Sequence, residues 1–243
     1  MICTLNMHKL FRINSLTLYL HFSLYMIVFL TLSRLMLALW LFERVEAVNG
    51  WYPILLQGLR VDIATLCILL FVPIIYSLVA SHKSSNWTVT KHIIRMWLTL
   101  IAISLVFMEL ATPSFIQEYN IRPNRLFVEY LVYPKEVFGM LIKSKLPEWL
   151  NLSILTSVTG YLVWKWVTCY IHRPNPVPIK WRPLNALLVL LLMTLGGRST
   201  LGHQPLNPSM IYFSNDSCIN SLALNSFYSV LWSVKQIINE ESN

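Results

Sequence analysis

Five runs of apolar residues, each close to the length of a membrane crossing, constrain this chain more than any other feature. A helix needs about 20 mainly apolar residues to cross the hydrocarbon core of a bilayer. Residues 15–41, 55–80, 93–111 and 150–170 meet that requirement. A fifth run is dense only over 184–195 and reaches spanning length by extending over 179–201. Pro183 then falls in its first turn, where a missing N–H is harmless. Composition agrees, because 56% hydrophobic with 12% charged residues in 243 is not the balance of a soluble fold. The expected fold is all-α: a polytopic membrane protein with a five-transmembrane-helix bundle over 1–201 and an extracytoplasmic connector over 202–243.

Orientation follows from the basic residues. Lys9 and Arg12, then Lys83, Lys91 and Arg95, then Lys165, Arg173, Lys180 and Arg182 all fall on one side of such a bundle, with no Asp or Glu among them. The other side takes Glu43, Arg44, Glu46 and a mixed loop over 112–149. The positive-inside rule then sets the N-terminus in the cytoplasm and the C-terminus outside, in a cell inner (cytoplasmic) membrane. The net charge of +8 is accounted for by these cytoplasmic loops, so no nucleic-acid partner is expected. The first run is too long for a signal peptide and lacks a small-residue cleavage site, so it reads as a retained span. Cys3, Cys67, Cys169 and Cys218 are scattered with no CxxC and read as packing residues rather than metal ligands or disulfides.

Two extracytoplasmic stretches read as interfacial amphipathic helices. Over 134–145, Val137, Phe138, Leu141 and Ile142 share one face. Over 220–239, Leu224, Phe227, Tyr228, Leu231, Val234 and Ile238 form one stripe, with Asn225, Ser229, Ser233, Gln236 and Asn239 mostly away from it. That helix is expected to lie along the outer surface on its apolar stripe. Trp40, Trp51, Tyr52 and Trp149 stand where interface anchors belong.

Charges inside spans need a reason. Arg34, Arg60, Asp62 and Glu109 all fall toward the outer ends of their helices, and Arg198 joins them at the end of the fifth. Arg60 and Asp62 are two apart and do not face each other on a helix, so each should pair across helices: Asp62 with Arg34, or Arg60 with Glu109. One reading is a set of ion pairs that fixes packing. The other is that the surplus arginine charge holds the phosphate of an anionic phospholipid, with Arg34, Arg60 and Arg198 as partners and the carboxylates orienting them. The apolar inner halves of the helices argue against an ion pathway. No HExxH, paired-carboxylate, GxSxG or P-loop pattern occurs, so no catalytic, cofactor-binding or metal-ligating residue is assigned.

The order of three motifs carries a resemblance. They are Gln57-Gly-Leu-Arg-Val-Asp62; Glu109-Leu-Ala-Thr-Pro followed by Asn124-Arg-Leu-Phe-Val-Glu-Tyr-Leu-Val-Tyr-Pro-Lys-Glu-Val137; and Arg198-Ser-Thr-Leu-Gly-His-Gln-Pro-Leu-Asn-Pro-Ser209 with Asn220-Ser-Leu-Ala-Leu-Asn225. Together they resemble the N-terminal membrane domain of lipoteichoic-acid-synthase-type proteins of the sulfatase superfamily. The resemblance implies a five-helix bundle carrying an extracytoplasmic alkaline-phosphatase-like domain. That domain would move phosphoglycerol, phosphoethanolamine or a similar group from a lipid, using a Thr nucleophile and a divalent metal. No residue of this chain matches the nucleophile or the metal ligands, so any metal would belong to the absent domain and catalysis by this chain alone is not expected. The resemblance thus implies a truncated or split member that anchors, or presents a lipid headgroup to, a separately encoded catalytic domain. The alternatives are a small transporter or channel component, or an inactive remnant.

Overall fold

The computed structural model describes residues 15–80, 87–132, 146–171, 182–199 and 206–241. Among them every regular element is helical and no strand occurs. Three helices are long and apolar enough to cross a membrane: α1 (Ser15–Trp40), α3 (Trp51–Ala80) and α4 (Trp87–Tyr119). Between them α2 (Phe42–Ala47) forms a short turn of helix, and α5 (Arg125–Val132) follows α4. Next come α6 (Leu146–Tyr170) and α7 (Arg182–Arg198). A 3₁₀ turn (Pro208–Ile211), α8 (Ser217–Leu222) and α9 (Ser226–Glu241) are the last elements among the described residues. The interfacial helix expected over 134–145 lies outside the described residues.

The helices run past the apolar stretches that announce them. α3 begins at Trp51 rather than 55, and α4 extends from Trp87 to Tyr119 rather than over 93–111. Hydropathy stops where polar side chains start, whereas backbone hydrogen bonding continues wherever residues tolerate the helix. Three helix ends are closed by a residue at positive φ. Asn49 (φ 49°) ends α2, and Gly50 N–H reaches back to Val45 O at 2.9 Å. Asn120 (φ 54°) ends α4, and Ser199 (φ 49°) ends α7 with its N–H on Leu195 O.

α1 and α3 pack antiparallel. Tyr19 of α1 donates to Pro73 O of α3 near one end, while Arg34 meets Asp62 near the other. Pro73 offers no N–H to Leu69 O one turn earlier, and Trp97 Nε1 of α4 supplies a donor to that carbonyl at 3.2 Å. α6 follows α4, with Arg95 over the Trp164 ring at one end and Phe107 against Trp149 at the other. Gly160 lets the two backbones approach, since a Cβ there would come within 2.8 Å of Ile103 Cδ1. α7 follows α3, and Gly196 sits so close to Cys67 that a Cβ would lie 2.5 Å from its Sγ.

A core of Phe22, Met26, Leu70, Leu98 and Leu105 fills the middle of the bundle. Outside it, large apolar side chains stay uncovered: Leu20 and Met36 on α1, Leu100 on α4, Ile154 and Leu162 on α6, Leu187 and Leu192 on α7. An apolar exterior of this kind on helices of spanning length is the surface of a membrane protein.

The C-terminal segment departs from expectation. It is not one helix lying on its apolar stripe. Two helices meet at a break over 223–225, and residues from Cys218 to Ser226 are all buried. Cys218, Ile219 and Leu222 enter a cluster with Leu37, Ala38, Ile54 and Ile116, so α8 plugs one end of the bundle between α1, α3 and α4. Ala223, Leu224 and Tyr228 join Val61, Ala64, Leu206 and Ile211. On α9 the buried side chains are Ser226, Tyr228, Ser229 and Ser233, while Leu231 and Ile238 of the expected stripe are exposed. Small serines let α9 lie close against its neighbours, a packing advantage that outweighs side-chain polarity.

Candidate functional site

Beneath the plug lies a closed ionic network. Arg34 of α1 grips Asp62 of α3 end-on, with Nη1–Oδ2 2.9 Å and Nη2–Oδ1 2.8 Å, and the two side chains are 1% and 0% exposed. Gly58, one turn before Asp62, makes room for the guanidinium, since a Cβ there would stand 2.3 Å from Arg34 Cζ. The remaining Arg34 donor, Nε, reaches Leu222 O at the C-terminal end of α8 at 3.2 Å. A helix C-terminus leaves carbonyls without intrahelical partners, and a cation is a favourable one.

The second pair is Glu109 of α4 with Arg122, which lies two residues past the Asn120 turn. Arg122 Nη1 stands 2.8 and 3.1 Å from the two Glu109 oxygens. Ser33, next to Arg34 on α1, donates to Glu109 Oε2 at 2.8 Å. Ser226 N–H, at the N-terminus of α9, donates to Glu109 Oε1 at 3.0 Å. The Ser226 hydroxyl lies 2.6 Å from Thr112 Oγ1 and accepts from Arg122 Nη1. Burial pushes the Arg122 guanidinium below its ordinary value, and the Glu109 charge opposes that. Its Nε and Nη2 have no partner.

Asn225 links the two halves. Its Nδ2 donates to Asp62 Oδ1 at 3.0 Å and to Thr65 Oγ1 at 2.9 Å, while its Oδ1 accepts Tyr228 N–H at 2.7 Å and caps α9. The break between α8 and α9 thus carries a helix C-terminus to an arginine and a helix N-terminus to a carboxylate. Two cations and two carboxylates make the network neutral.

The plug is also fastened from outside. Arg44 of α2 forks onto Asp216 (Nε–Oδ2 3.0 Å, Nη2–Oδ1 2.7 Å), and its Nη1 holds Asn120 Oδ1 at 2.7 Å. Asp216 caps α8 by accepting Cys218 and Ile219 N–H. Burial alone would raise the Asp216 carboxyl, but the Arg44 fork and the two amides hold it below the usual carboxylate range. Asn220 pins the preceding loop through Phe213 N–H, Ser214 N–H and Ser214 O. Burial raises the Tyr228 phenol to about 12, and its hydroxyl donates to Leu206 O at 2.6 Å.

Of the five charges singled out in the sequence, the fold brings Arg34, Asp62 and Glu109 into one network and leaves Arg60 and Arg198 outside it. Arg34 does pair with Asp62. Glu109 does not pair with Arg60; it takes Arg122, because the αL turn at Asn120 folds the chain back onto α4. Arg60 instead donates to Ser199 O at 2.8 and 2.6 Å, tying the end of α7 to α3. Arg198 is exposed at the last turn of α7. The headgroup reading expected three available arginines, and Arg34 is closed off with every donor group engaged. Sequence reasoning missed Arg122, Asn225 and Ser226. Arg122 looked like a solvated loop charge, and the only available signal was its position just past a helix carrying an intramembrane carboxylate.

No known family model matches the chain, and no solved structure matches it. Among the described residues no group of His, Cys, Asp and Glu could hold a metal ion.

Proposed function

We propose that this chain is a five-span anchor of the inner membrane whose C-terminal segment is a rigid mount for an extracytoplasmic domain. By its motifs, that domain would belong to the phosphoglycerol- or phosphoethanolamine-transferring branch of the sulfatase superfamily. The observation that carries the reading is the seating of the C-terminal segment on the membrane helices. Asn225 binds Asp62 and Ser226 binds Glu109 in a buried network, which fixes the start of α9 relative to the bundle. A flexible tether would need neither bond. An anchor that orients a catalytic domain toward lipid headgroups needs both.

Five crossings are supported by α6 and α7. α6 has 25 residues and runs antiparallel along α4, and α7 holds the apolar stretch Leu187–Arg198 and runs antiparallel along α3. Both carry uncovered leucines on their outer faces, as a bilayer requires. With the basic residues inside, the plugged end of the bundle faces outward.

Two measurements test this. Alkaline phosphatase fused after Asn243 should be active and the same fusion within residues 172–181 inactive; the reverse pattern contradicts the topology. A separately encoded sulfatase-type domain, expressed in soluble form, should associate with membranes containing this chain. That association should fall when Asn225→Leu unseats α9, and equal binding to membranes lacking the chain contradicts the mount.

A further inference from the structure

The end of the bundle opposite the plug carries cations and, among the described residues, no carboxylate. Lys91 and Arg95 lie one turn apart on one face of α4, and Lys165 of α6 lies over the Tyr161 ring. The sequence holds no Asp or Glu before Glu43, between Asp62 and Glu109, or between Glu148 and Asp216. The carboxylates of α3, α4 and α6 therefore all fall toward the plugged end, and Glu109 is about 21 Å from Arg95 along α4 at the helical rise. α4 has 33 residues and is about 50 Å long, against about 30 Å of hydrocarbon. Centred on that core, it leaves about seven residues at each end among the headgroups, which sets Lys91 and Arg95 near the phosphate level.

Arg95 is held in place on the seam between α4 and α6. Its guanidinium lies over the Trp164 ring, 3.8 Å from the centroid. Nη1 donates to Thr168 Oγ1 at 3.1 Å, and Nη2 stands 2.6 Å from His92 Nδ1. A guanidinium only donates, so the imidazole accepts through Nδ1. Thr168 in turn donates to Trp164 O at 2.7 Å. Trp164, Thr168 and the accepting His92 are neutral, so they orient the charge without cancelling it. Each hydrogen bond takes one of the two hydrogens on its nitrogen, and the buried Nε has no acceptor among the described residues.

We propose that this seam binds the phosphate of an anionic phospholipid, with Arg95 as the principal donor and Lys91 beside it. The inference rests on the membrane-spanning reading above and adds one defined lipid site, in the cytoplasmic leaflet by the same orientation rule. A guanidinium held flat on an aromatic ring presents its remaining donors in a fixed plane, which suits phosphate oxygens better than a loose ammonium does. Ile93 and Met96 of α4 and Leu162 of α6 are exposed and offer the acyl chains an apolar surface. A zwitterionic headgroup brings its own cation, so the site prefers a lipid whose phosphate charge is unanswered.

The full chain is reconstituted in nanodiscs of phosphatidylcholine with a minority of phosphatidylglycerol and released into mild detergent. Its retained lipid is identified by native mass spectrometry, with the melting temperature recorded for every variant. Phosphatidylglycerol should be enriched about fivefold over the bulk, the factor expected for one basic residue at the membrane surface. Arg95→Gln should return the ratio to that of the bulk. Arg95→Lys keeps the charge but loses the planar donors, and should lose most of the enrichment. Thr168→Val keeps every charge and removes an acceptor that orients Arg95, and should lose part of it. Lys235→Gln, on α9 at the plugged end, should change nothing, and excess inorganic phosphate should not displace the lipid. A wild-type chain without enrichment, or enrichment that survives Arg95→Gln, overturns the site. Full enrichment in Arg95→Lys also overturns it, leaving a general attraction to positive charge. Displacement by inorganic phosphate overturns the lipid as the occupant. A chain recovered outside the membrane fraction overturns the membrane reading and the site with it.

Discussion

Asn225 Nδ2 stands 3.0 Å from Asp62 Oδ1, across 163 residues of sequence, and the same side chain caps α9 through its Oδ1. One amide therefore sets the start of the last helix and completes the coordination of a carboxylate buried in α3. The geometry also fixes the amide's orientation, since only the nitrogen can face the carboxylate and Thr65 Oγ1 accepts from the same atom.

Asn225→Ala should lower stability by about 2–4 kcal/mol, the sum of a lost cap and a buried acceptor left short of a donor. Asn225→Asp separates the two roles. Asp caps helices as well as Asn does, so a position that only caps would tolerate it. Facing Asp62, the new carboxylate should be more damaging than Ala. Thermal unfolding of the three proteins in one detergent checks the order.

The Arg34–Asp62 pair should behave as a unit. Asp62→Leu or Arg34→Met alone leaves an uncompensated buried charge and should cost about 3–5 kcal/mol. The double variant should cost clearly less than the sum, with a coupling of about 1–3 kcal/mol in a double-mutant cycle. Additive losses would show that the two charges do not depend on each other.

Gly58 is the steric counterpart of that pair. A methyl at this position would occupy the space of Arg34 Cζ, so Gly58→Ala should expel the guanidinium and destabilise the bundle although Ala favours helix. In an Arg34→Ala background the obstacle is gone, and the same substitution should become neutral or stabilising by up to about 1 kcal/mol. A loss of equal size in both backgrounds would contradict the packing described.

The Arg44–Asp216 latch gives the outer cap a pH dependence. The Asp216 carboxyl is held below its ordinary value of 3.8 in the folded state. Its contribution is therefore complete above the unfolded value and is lost as pH falls through the lower folded one. The melting difference between wild type and Asp216→Asn should stay constant from about pH 8 down to pH 5 and shrink below about pH 4. A difference that grew on acidification would have the wrong sign for this latch.

Apolar run length was enough to locate α1, α3 and α4, because a helix of spanning length needs little beyond apolar side chains. The polar layer was partly legible, since charges inside such runs must find partners, and Arg34 with Asp62 could be paired from helix geometry. Arg122 could not be. Its partnership with Glu109 depends on α4 continuing to Tyr119 and on the αL turn at Asn120, neither of which hydropathy reports. The C-terminal segment misled for a different reason. Its apolar stripe suggested a helix lying along the outer surface, whereas Ser229 and Ser233 face the protein and Leu231 and Ile238 face away. Close backbone approach through the small serines decides which face of α9 meets the bundle.

The C-terminal segment is seated in the bundle, and amide hydrogen exchange of the full chain in nanodiscs measures that directly. Peptides covering 217–229 should exchange as slowly as those from the centre of α3 in the wild-type protein. In Asn225→Leu the same peptides should exchange markedly faster, while the centre of α3 stays protected. Rapid exchange of 217–229 in the wild type, at the rate of an exposed tether, would contradict the central claim.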